Sequence, residues 1–250
     1  MATDVDIKKL LEAGAHFGHK TSRWHPKMAP YIHSKREGIH IIDLTKTVSG
    51  LETAMDVITK TVADGKQVLF VATKRQSKDI VKAAAEEVGM PFVTERWLGG
   101  MLTNQTTMGE RIKHLKDLEV RMDSGALAAK YNKLELQRYQ EEIDQMNFLY
   151  GGIKHMSGQP AIVFVADVLN EANAVREANK LGLKTVAIVD TNADPSQISY
   201  PIPANDDAIK TIQLIVDYIK QAVVSGQAKA KTTTKPAADK AKKDKDEEEE

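Results

Sequence analysis

The sequence contains no cysteine. This absence excludes disulfide bonds, thiolate metal sites and cysteine nucleophiles, so the fold must be stable without covalent cross-links, which suits a reducing compartment. Long apolar runs are also missing: no stretch approaches the roughly 18 residues that a membrane span needs, and the first residues lack the apolar segment of a secretory signal. We therefore expect a cytoplasmic protein.

An excess of charge of one sign is missing as well. The chain has 35 Lys and Arg against 35 Asp and Glu, a formal net charge of +0. This balance argues against a simple cationic binder of nucleic acid. The distribution is uneven, however, because residues 16–36 carry five basic side chains and no acidic one, and Lys74, Arg75 and Lys78 form a second basic group. If the protein binds a polyanion, we therefore expect the contact at these two basic regions.

Glycine-rich nucleotide-binding motifs are absent too. The first strand of the predicted sheet is followed by Thr73-Lys74-Arg75-Gln76, which matches neither G-x-G-x-x-G nor G-x-x-x-x-G-K-[ST]. Without such a loop, backbone N–H groups do not cradle a pyrophosphate. No G-x-S-x-G or local Ser/His/Asp pattern is present for nucleophilic catalysis. An enzyme that binds a phosphorylated small molecule near Lys74 and Asp190 is disfavoured but stays open.

The residues that are present predict an α/β fold. Apolar runs of β type alternate with amphipathic helical segments, and the strands are expected at 66–73, 91–95, 160–167, 184–190 and 200–203. Strands that are apolar on both faces and separated by helices indicate a parallel sheet covered on both sides. We predict a flavodoxin-like, doubly wound, five-stranded sheet in the order 2-1-3-4-5.

Two further elements interrupt this alternation. Near the N-terminus, two short strands around Arg36-Glu37-Gly38 predict a β-arm that stands off the body. Between the second and third strands, two apolar stripes separated by Asp123-Ser124-Gly125 predict an inserted antiparallel coiled-coil helical hairpin. The stripes consist of Met108, Ile112, Leu115, Leu118 and Met122, and of Leu127, Tyr131, Leu134, Tyr139, Ile143, Met146 and Tyr150.

The end of the chain changes composition. A last helix is expected from Asp206 to Val224, and the Ala-, Lys- and acid-rich stretch after it has too little apolar surface to fold and should be disordered. The expected organisation is the first part of the α/β domain with the arm (1–104), the hairpin (105–150), the second part of the domain (151–226) and the charged tail (227–250).

Histidines and strand-end acids raise a metal hypothesis. His16 and His19 could lie on one side of a helical turn and hold zinc with a third ligand, and Asp190 and Asp206 lie where α/β proteins place metal-binding carboxylates. The spacing is not H-E-x-x-H, and Asp190 and Asp206 also fit as turn and N-cap residues. Zinc therefore stays an open alternative, and no other cofactor is expected.

The basic stretch itself favours RNA. It contains Gly18, Pro26 and Pro30, so it is not a continuous helix, and Trp24 and Tyr31 lie among the cations. Lys and Arg offer charges and hydrogen-bond forks for phosphate, and the aromatic rings offer stacking faces. An ordinary solvated basic face is the competing interpretation.

Several motifs together carry a family resemblance. LLEAGAHFGHKTSRWHPKMAPYIHSKREGIHIIDL, VLFVATKRQ, ERWLGGMLTN and VDTNADP make the chain, from about residue 5 to 225, similar to the bacterial form of the ribosomal protein S-two (S2) family. The resemblance implies a non-catalytic structural protein of the small ribosomal subunit that joins head and body. It also implies three kinds of partner: ribosomal RNA, neighbouring proteins and ribosomal protein S-one (S1).

The resemblance also implies RNA-contacting residues, carried over from the matching motifs: Lys20, Arg23, Lys27, Lys35, Arg36, Lys74, Arg75, Arg96, Thr103 and Asn104. The reasoning from the residues adds Trp24 as a stacking face and Lys78 from the second basic group. The expected role is support of translation in the cytoplasm, with no membrane contact.

Overall fold

A computed structural model describes the backbone of residues 5–127 and 130–246, and the side chains as far as residue 230. Its centre is a parallel five-stranded sheet in the order β5-β4-β6-β7-β8. The strands are β4 (Val68–Val71), β5 (Phe92–Val93), β6 (Ile162–Val165), β7 (Lys184–Val189) and β8 (Tyr200–Pro203). The predicted α/β fold is confirmed, and counted along the chain these strands give the order 2-1-3-4-5.

Helices cover both faces of this sheet, and two more form a hairpin beside it. In chain order the helices are α1 (Ile7–Glu12), α2 (Leu44–Ala63), α3 (Lys78–Val88), α4 (Gln105–Asp123), α5 (Lys133–Tyr150), α6 (Ala172–Lys180) and α7 (Ile209–Asp246). Within β4, Val68 and Phe70 join the core cluster that contains residues of α2, α3 and α7, whereas Leu69 and Val71 join the cluster that contains residues of α6. Alternate side chains of a strand point to opposite faces, so a wholly apolar strand serves two cores.

The N-terminal arm, which we define as residues 16–42, forms a second sheet. It contains β1 (Phe17–Lys20), β2 (Ile32–Arg36) and β3 (Ile39–Ile42), antiparallel in the order β1-β3-β2. The predicted β2–β3 hairpin is confirmed. At its turn, Glu37 and Gly38 have φ values of 51° and 77°, the left-handed pair that tight hairpins favour.

The arm does not stand off the body, so that prediction is wrong. Met28 is fully buried in the same core as β4 and β6, and the N–H of His25 donates to the carbonyl of Thr191 at 2.7 Å. Strand β1 was not expected, because its sequence FGHK has weak intrinsic β preference. Its Phe17 and Lys20 lie opposite β3, and the backbone N–H of His19 donates to Thr191 Oγ1 at 2.8 Å.

Helices α4 and α5 form the predicted hairpin. Leu115, Leu118, Ile143 and Met146 are buried in a separate small cluster, as the stripes indicated. The prediction that Leu134 lies in the seam is wrong, because 60% of this residue is exposed. Helix α5 begins with a capping box in which Asn132 and Glu135 each accept from the other's backbone N–H, so this end of the helix is fixed locally.

Helix α7 is longer than predicted. Its backbone continues past Val224 to Asp246, so the expected helix end is wrong, and the stretch expected to be disordered has helical backbone up to that residue. Ala and Lys have high helix propensity, and Gln227 Nε2 donates to the carbonyl of Val88 at 2.8 Å. Residues 247–250 lie outside the described part. Within the described ranges, no helix has the length and apolarity that crossing a bilayer requires.

Candidate functional site

The carboxyl ends of four sheet strands bring one lysine and four aspartates together. Lys74 follows β4, Asp167 follows β6, Asp190 follows β7, and Asp206 and Asp207 follow β8. Lys74 Nζ lies 3.0 Å from Asp167 Oδ2, 3.0 Å from Asp206 Oδ1 and 2.8 Å from Asp207 Oδ1. These five residues, here the strand-end cluster, form one charged network because parallel strands end at the same edge of the sheet.

Burial and charge perturb the protonation of the strand-end cluster. Burial alone would lower the pKa of Lys74, but Asp207, Asp206 and Asp167 outweigh it and raise that pKa. Burial, with the nearby charges of Asp167 and Asp190, raises the pKa of Asp206 to about 7. Because the Lys74 ammonium is bound by carboxylates of its own chain, the geometry favours a structural role for it over phosphate contact.

His19 borders the strand-end cluster. Its Nδ1 lies 3.1 Å from Asp190 Oδ2 and its Nε2 lies 3.5 Å from Asp207 Oδ2. The hydrogen bond with Asp190 raises the pKa of His19. The structure thus brings together three of the four predicted metal candidates, His19, Asp190 and Asp206. The fourth, His16, packs its ring against Phe17 at a centroid distance of 4.0 Å.

The charges at this edge of the sheet bear on the two alternatives that the sequence left open, a zinc site and an enzyme that binds a phosphorylated small molecule. Single ligand atoms of His19, Asp206 and Asp207 lie within 4.8 Å of one another, which suits a divalent cation. The carboxylates of Asp206 and Asp207 already bind the Lys74 ammonium, so a cation of the same chain occupies the position that a metal ion would take. Four aspartates at one edge also repel a phosphate, which makes the phosphorylated-substrate hypothesis weaker still.

The predicted RNA-contacting cations fall into two groups. Lys27 Nζ pairs with Asp194 Oδ2 at 2.8 Å, and Lys78 Nζ pairs with Glu95 Oε2 at 3.2 Å. Apart from Lys74, which belongs to the strand-end cluster, the others are exposed and, among the residues that the structure describes, have no carboxylate within 4.0 Å: Lys20, Arg23, Lys35, Arg36, Arg75 and Arg96.

Four of these exposed cations lie on the arm. Lys20 and Arg36 both lie opposite Ile39, one on each side of β3, so their side chains share one face of the small sheet. Arg23, Lys20 and Ile39 line a pocket whose other side is formed by Asp190 and Asp207 of the strand-end cluster. Lys35 lies opposite His40 and faces the other way. Trp24, 40% exposed, packs against His40. The arm therefore presents cations on both faces beside an accessible aromatic ring.

Thr103 and Asn104 have structural roles that the sequence did not reveal. The Glu177 carboxylate accepts from Trp97 Nε1, from the backbone N–H groups of Gly100, Leu102 and Thr103, and from Thr103 Oγ1, at 2.8–3.2 Å. Asn104 is the N-cap of α4. Burial alone would raise the pKa of Glu177, but the hydrogen bonds from Trp97 and this backbone lower it. No local pattern marks Glu177, because its partners lie more than 70 residues earlier in the chain.

Comparison with known proteins gives a consistent result. The family model described as ribosomal protein S2 matches residues 10–226. The chain is 49% identical over 223 residues to a protein of Roseiflexus sp., covering 89% of this chain and 85% of that protein. It is 48% identical over 229 residues to one from Chloroflexus aggregans, covering 92% and 96%. It is 50% identical over 222 residues to one from Paramagnetospirillum magneticum, covering 88% and 82%. Each of these relatives is called small ribosomal subunit protein uS2.

Proposed function

Because the chain belongs to the ribosomal protein S2 family, we propose that it is a structural component of the small ribosomal subunit and binds ribosomal RNA through its arm. The observation that carries the RNA part of the proposal is the set of exposed arm cations, Lys20, Arg23, Lys35 and Arg36, without carboxylate partners among the described residues. A cation that is not neutralised within its own chain is available to neutralise phosphate, and release of phosphate counterions drives such binding.

The arm is also anchored well enough to present these charges. Met28 is fully buried, and two hydrogen bonds attach the arm to Thr191, which follows β7: His25 N–H donates to the Thr191 carbonyl and His19 N–H donates to Thr191 Oγ1. Just before the arm, the Asn205 N–H donates to the carbonyl of Ala15. A surface fixed on a rigid sheet loses less conformational entropy on binding than a free loop does. The RNA-contacting residues we retain from the sequence prediction are those four cations with Lys27, Trp24, Arg75 and Arg96. Lys27 differs from the four in that its ammonium also pairs with Asp194, although 56% of its side chain is exposed.

The proposal also includes contacts with other proteins of the subunit. From the family we propose that the chain helps join the head and body of the subunit, contacts neighbouring small-subunit proteins and docks ribosomal protein S1, without catalysing a reaction. The helical hairpin supports this part, since Val120, Leu134 and Phe148 are 66%, 60% and 59% exposed on it. These side chains are distributed along the hairpin and leave its surface accessible to a protein partner. The role is carried out in the cytoplasm, where translation takes place.

Co-sedimentation tests the proposal. The full-length chain, mixed with small subunits that lack this protein, should move with the subunits through a sucrose gradient. The variant Arg23→Glu/Lys35→Glu/Arg36→Glu should remain largely in the soluble fractions, because reversed charges repel the phosphates. A matched control, Lys60→Glu/Lys66→Glu/Lys82→Glu, changes the same charge on exposed residues away from the arm and should co-sediment normally. Wild-type protein that stays soluble would contradict the proposal.

A further inference from the structure

An open cleft lies on the arm beside the turn of the β2–β3 hairpin. It has a volume of about 550 Å³ and is lined by Thr21, Trp24, Lys35, Glu37, Gly38 and His40. Trp24 forms its aromatic side and is 40% exposed, so one face of the indole ring is accessible to a partner. The cleft therefore combines a stacking surface with a cation, Lys35.

His40 adds a feature that points to a ligand. His40 belongs to β3 and is only 9% exposed, and the centroid of its ring lies 5.3 Å from that of Trp24. Neither of its ring nitrogens has a hydrogen-bond partner among the described residues. A neutral imidazole carries one donor and one acceptor. Buried polar groups in native proteins are nearly always paired, so a buried ring with two unpaired nitrogens indicates a missing partner.

We propose that this cleft binds one unpaired RNA nucleotide, whose base stacks on Trp24 and whose polar edge bonds to His40, with Lys35 contacting its phosphate. This inference rests on the proposed function and specifies the form of RNA that the arm recognises. A nucleobase has the required chemistry, because it combines a flat aromatic face with adjacent donors and acceptors along one edge. A base within a duplex is already stacked and paired, so only a bulged, looped or single-stranded nucleotide can enter.

Binding of the base requires side chains around His40 to shift. Both His40 nitrogens are covered from solvent in this structure, and the Trp24 ring packs on the His40 ring, so the base edge reaches them after a small displacement that keeps Trp24 beside the base. Trp24 lies directly after the short 3-10 turn Thr21–Arg23, and no hydrogen bond is described for its indole N–H, so the ring is held by packing alone. Its fluorescence should therefore report entry of a base.

The test compares three RNA probes with the full-length protein: a short duplex with one bulged nucleotide, the same duplex with an abasic residue at the bulge, and a fully paired duplex. The chain has two tryptophans, and Trp97 is buried, so a Trp24→Phe variant supplies the background signal. The bulged RNA should quench Trp24 fluorescence and bind more tightly than the other two. Because stacking on an aromatic ring is lost, Trp24→Ala should weaken binding of the bulged RNA by roughly 5- to 150-fold and leave the paired duplex unaffected.

Conservative variants separate recognition from folding. Trp24→Tyr keeps a flat ring and should retain most of the affinity for the bulged RNA. His40→Phe keeps a ring of similar size but removes both nitrogens, so it should reduce the preference for the bulged RNA over the abasic one. Thermal denaturation of each variant checks that the arm is folded.

The outcomes distinguish this inference from the proposed function. If wild-type protein binds bulged and abasic RNA equally and its fluorescence does not change, the cleft proposal is overturned, whereas salt-dependent binding of all three probes would leave the arm as an RNA-binding surface. If none of the probes binds and the chain does not co-sediment with small subunits, both proposals fail. The comparison of bulged with abasic RNA uses wild-type protein, so misfolding of a variant does not affect it.

Discussion

The ammonium group of Lys74 is bound twice by Asp206: Nζ lies 3.0 Å from its Oδ1 and 3.1 Å from its backbone carbonyl oxygen. Lys74 follows β4 and Asp206 follows β8, and β6 and β7 lie between these strands in the sheet. The pair therefore links two strand ends that have no backbone hydrogen bonds to each other. With Asp167 and Asp207, it makes the edge of the sheet a charged network in which Lys74 is the central cation.

Replacing Lys74 with Met should destabilise the fold by about 3 kcal/mol. The change removes the central cation and leaves the buried carboxylates of Asp167 and Asp206 without it, and breaking one side of a buried ion pair costs about 3–5 kcal/mol. Urea denaturation measures the free energy of unfolding. The control Arg75→Met, at the exposed neighbouring position, should change it by less than about 0.5 kcal/mol. Equal stability of the two variants would show that Lys74 does not hold the cluster together.

Stability should depend on pH through Asp206. The pKa of this carboxyl is raised from 3.8 to about 7 in the folded protein, so its contribution is fully present below pH 3.8 and is lost as the pH rises through 7. The pKa of His19 is also raised in the folded protein, so its contribution to stability is likewise lost as the pH rises above the ordinary pKa of histidine. Wild-type protein should therefore lose stability between about pH 4 and pH 7 relative to Asp206→Asn, which has no such titration.

Urea denaturation at a series of pH values measures this difference between wild type and Asp206→Asn. The control Asp56→Asn, at an exposed position of α2, should give a curve parallel to that of the wild type. If the stability curve of Asp206→Asn also runs parallel to that of the wild type, the pKa of Asp206 is not raised in the folded protein.

Gly18 is required for packing of the arm on the body. A Cβ at this position would lie 2.5 Å from Thr191 Cγ2 and 2.8 Å from Thr191 Oγ1, closer than real contacts allow. Gly18→Ala should destabilise the protein by about 1–3 kcal/mol and make the arm more sensitive to limited proteolysis. Gly109→Ala, which meets no atom within 4 Å in helix α4, should instead be neutral or stabilising by up to about 1 kcal/mol. An arm that stays resistant in Gly18→Ala would contradict this packing.

The Glu177 carboxylate should hold the loop before α4 in place. Glu177→Gln replaces one acceptor oxygen with an N–H₂ group that faces backbone N–H donors, so the loop should lose hydrogen bonds and about 2 kcal/mol of stability. Hydrogen exchange at Gly100, Leu102 and Thr103 should become faster. The exposed control Glu110→Gln in α4 should leave exchange at these amides unchanged. Unchanged exchange in both variants would mean that the loop is held by its apolar contacts alone.

Binding to ribosomal RNA should depend on salt through the arm. Arg23→Gln/Lys35→Gln/Arg36→Gln removes three exposed charges, and each phosphate contact contributes about 0.7–0.9 to the slope of log K against log salt concentration. The slope should therefore become shallower by about 2 to 3 in filter-binding measurements. The control Lys60→Gln/Lys66→Gln/Lys82→Gln should keep the slope of the wild type. An arm variant with an unchanged slope would place the RNA surface elsewhere.

The sequence determined the main features of the fold because they depend on local patterns. Apolar runs such as that of β4 predict strands buried on both faces, and the Glu37-Gly38 turn needs two residues that tolerate positive φ. The family motifs and the clustering of cations in the arm could also be read directly. Strand β1 and the length of α7 were missed. The pairing of β1 depends on a strand elsewhere in the chain, and the sequence after Val224 carries no apolar stripe that would have predicted a continuing helix.

Only the tertiary structure decided which charges are available. Lys20 and Lys74 are both lysines in basic stretches, yet Lys20 is exposed and Lys74 is bound by three aspartates. Asp167 and Asp206 are 93 and 132 positions away from Lys74, and the order of parallel strands brings their ends to one edge. Local sequence determines the character of each residue, whereas the free energy of a charge depends on neighbours that only the folded chain supplies.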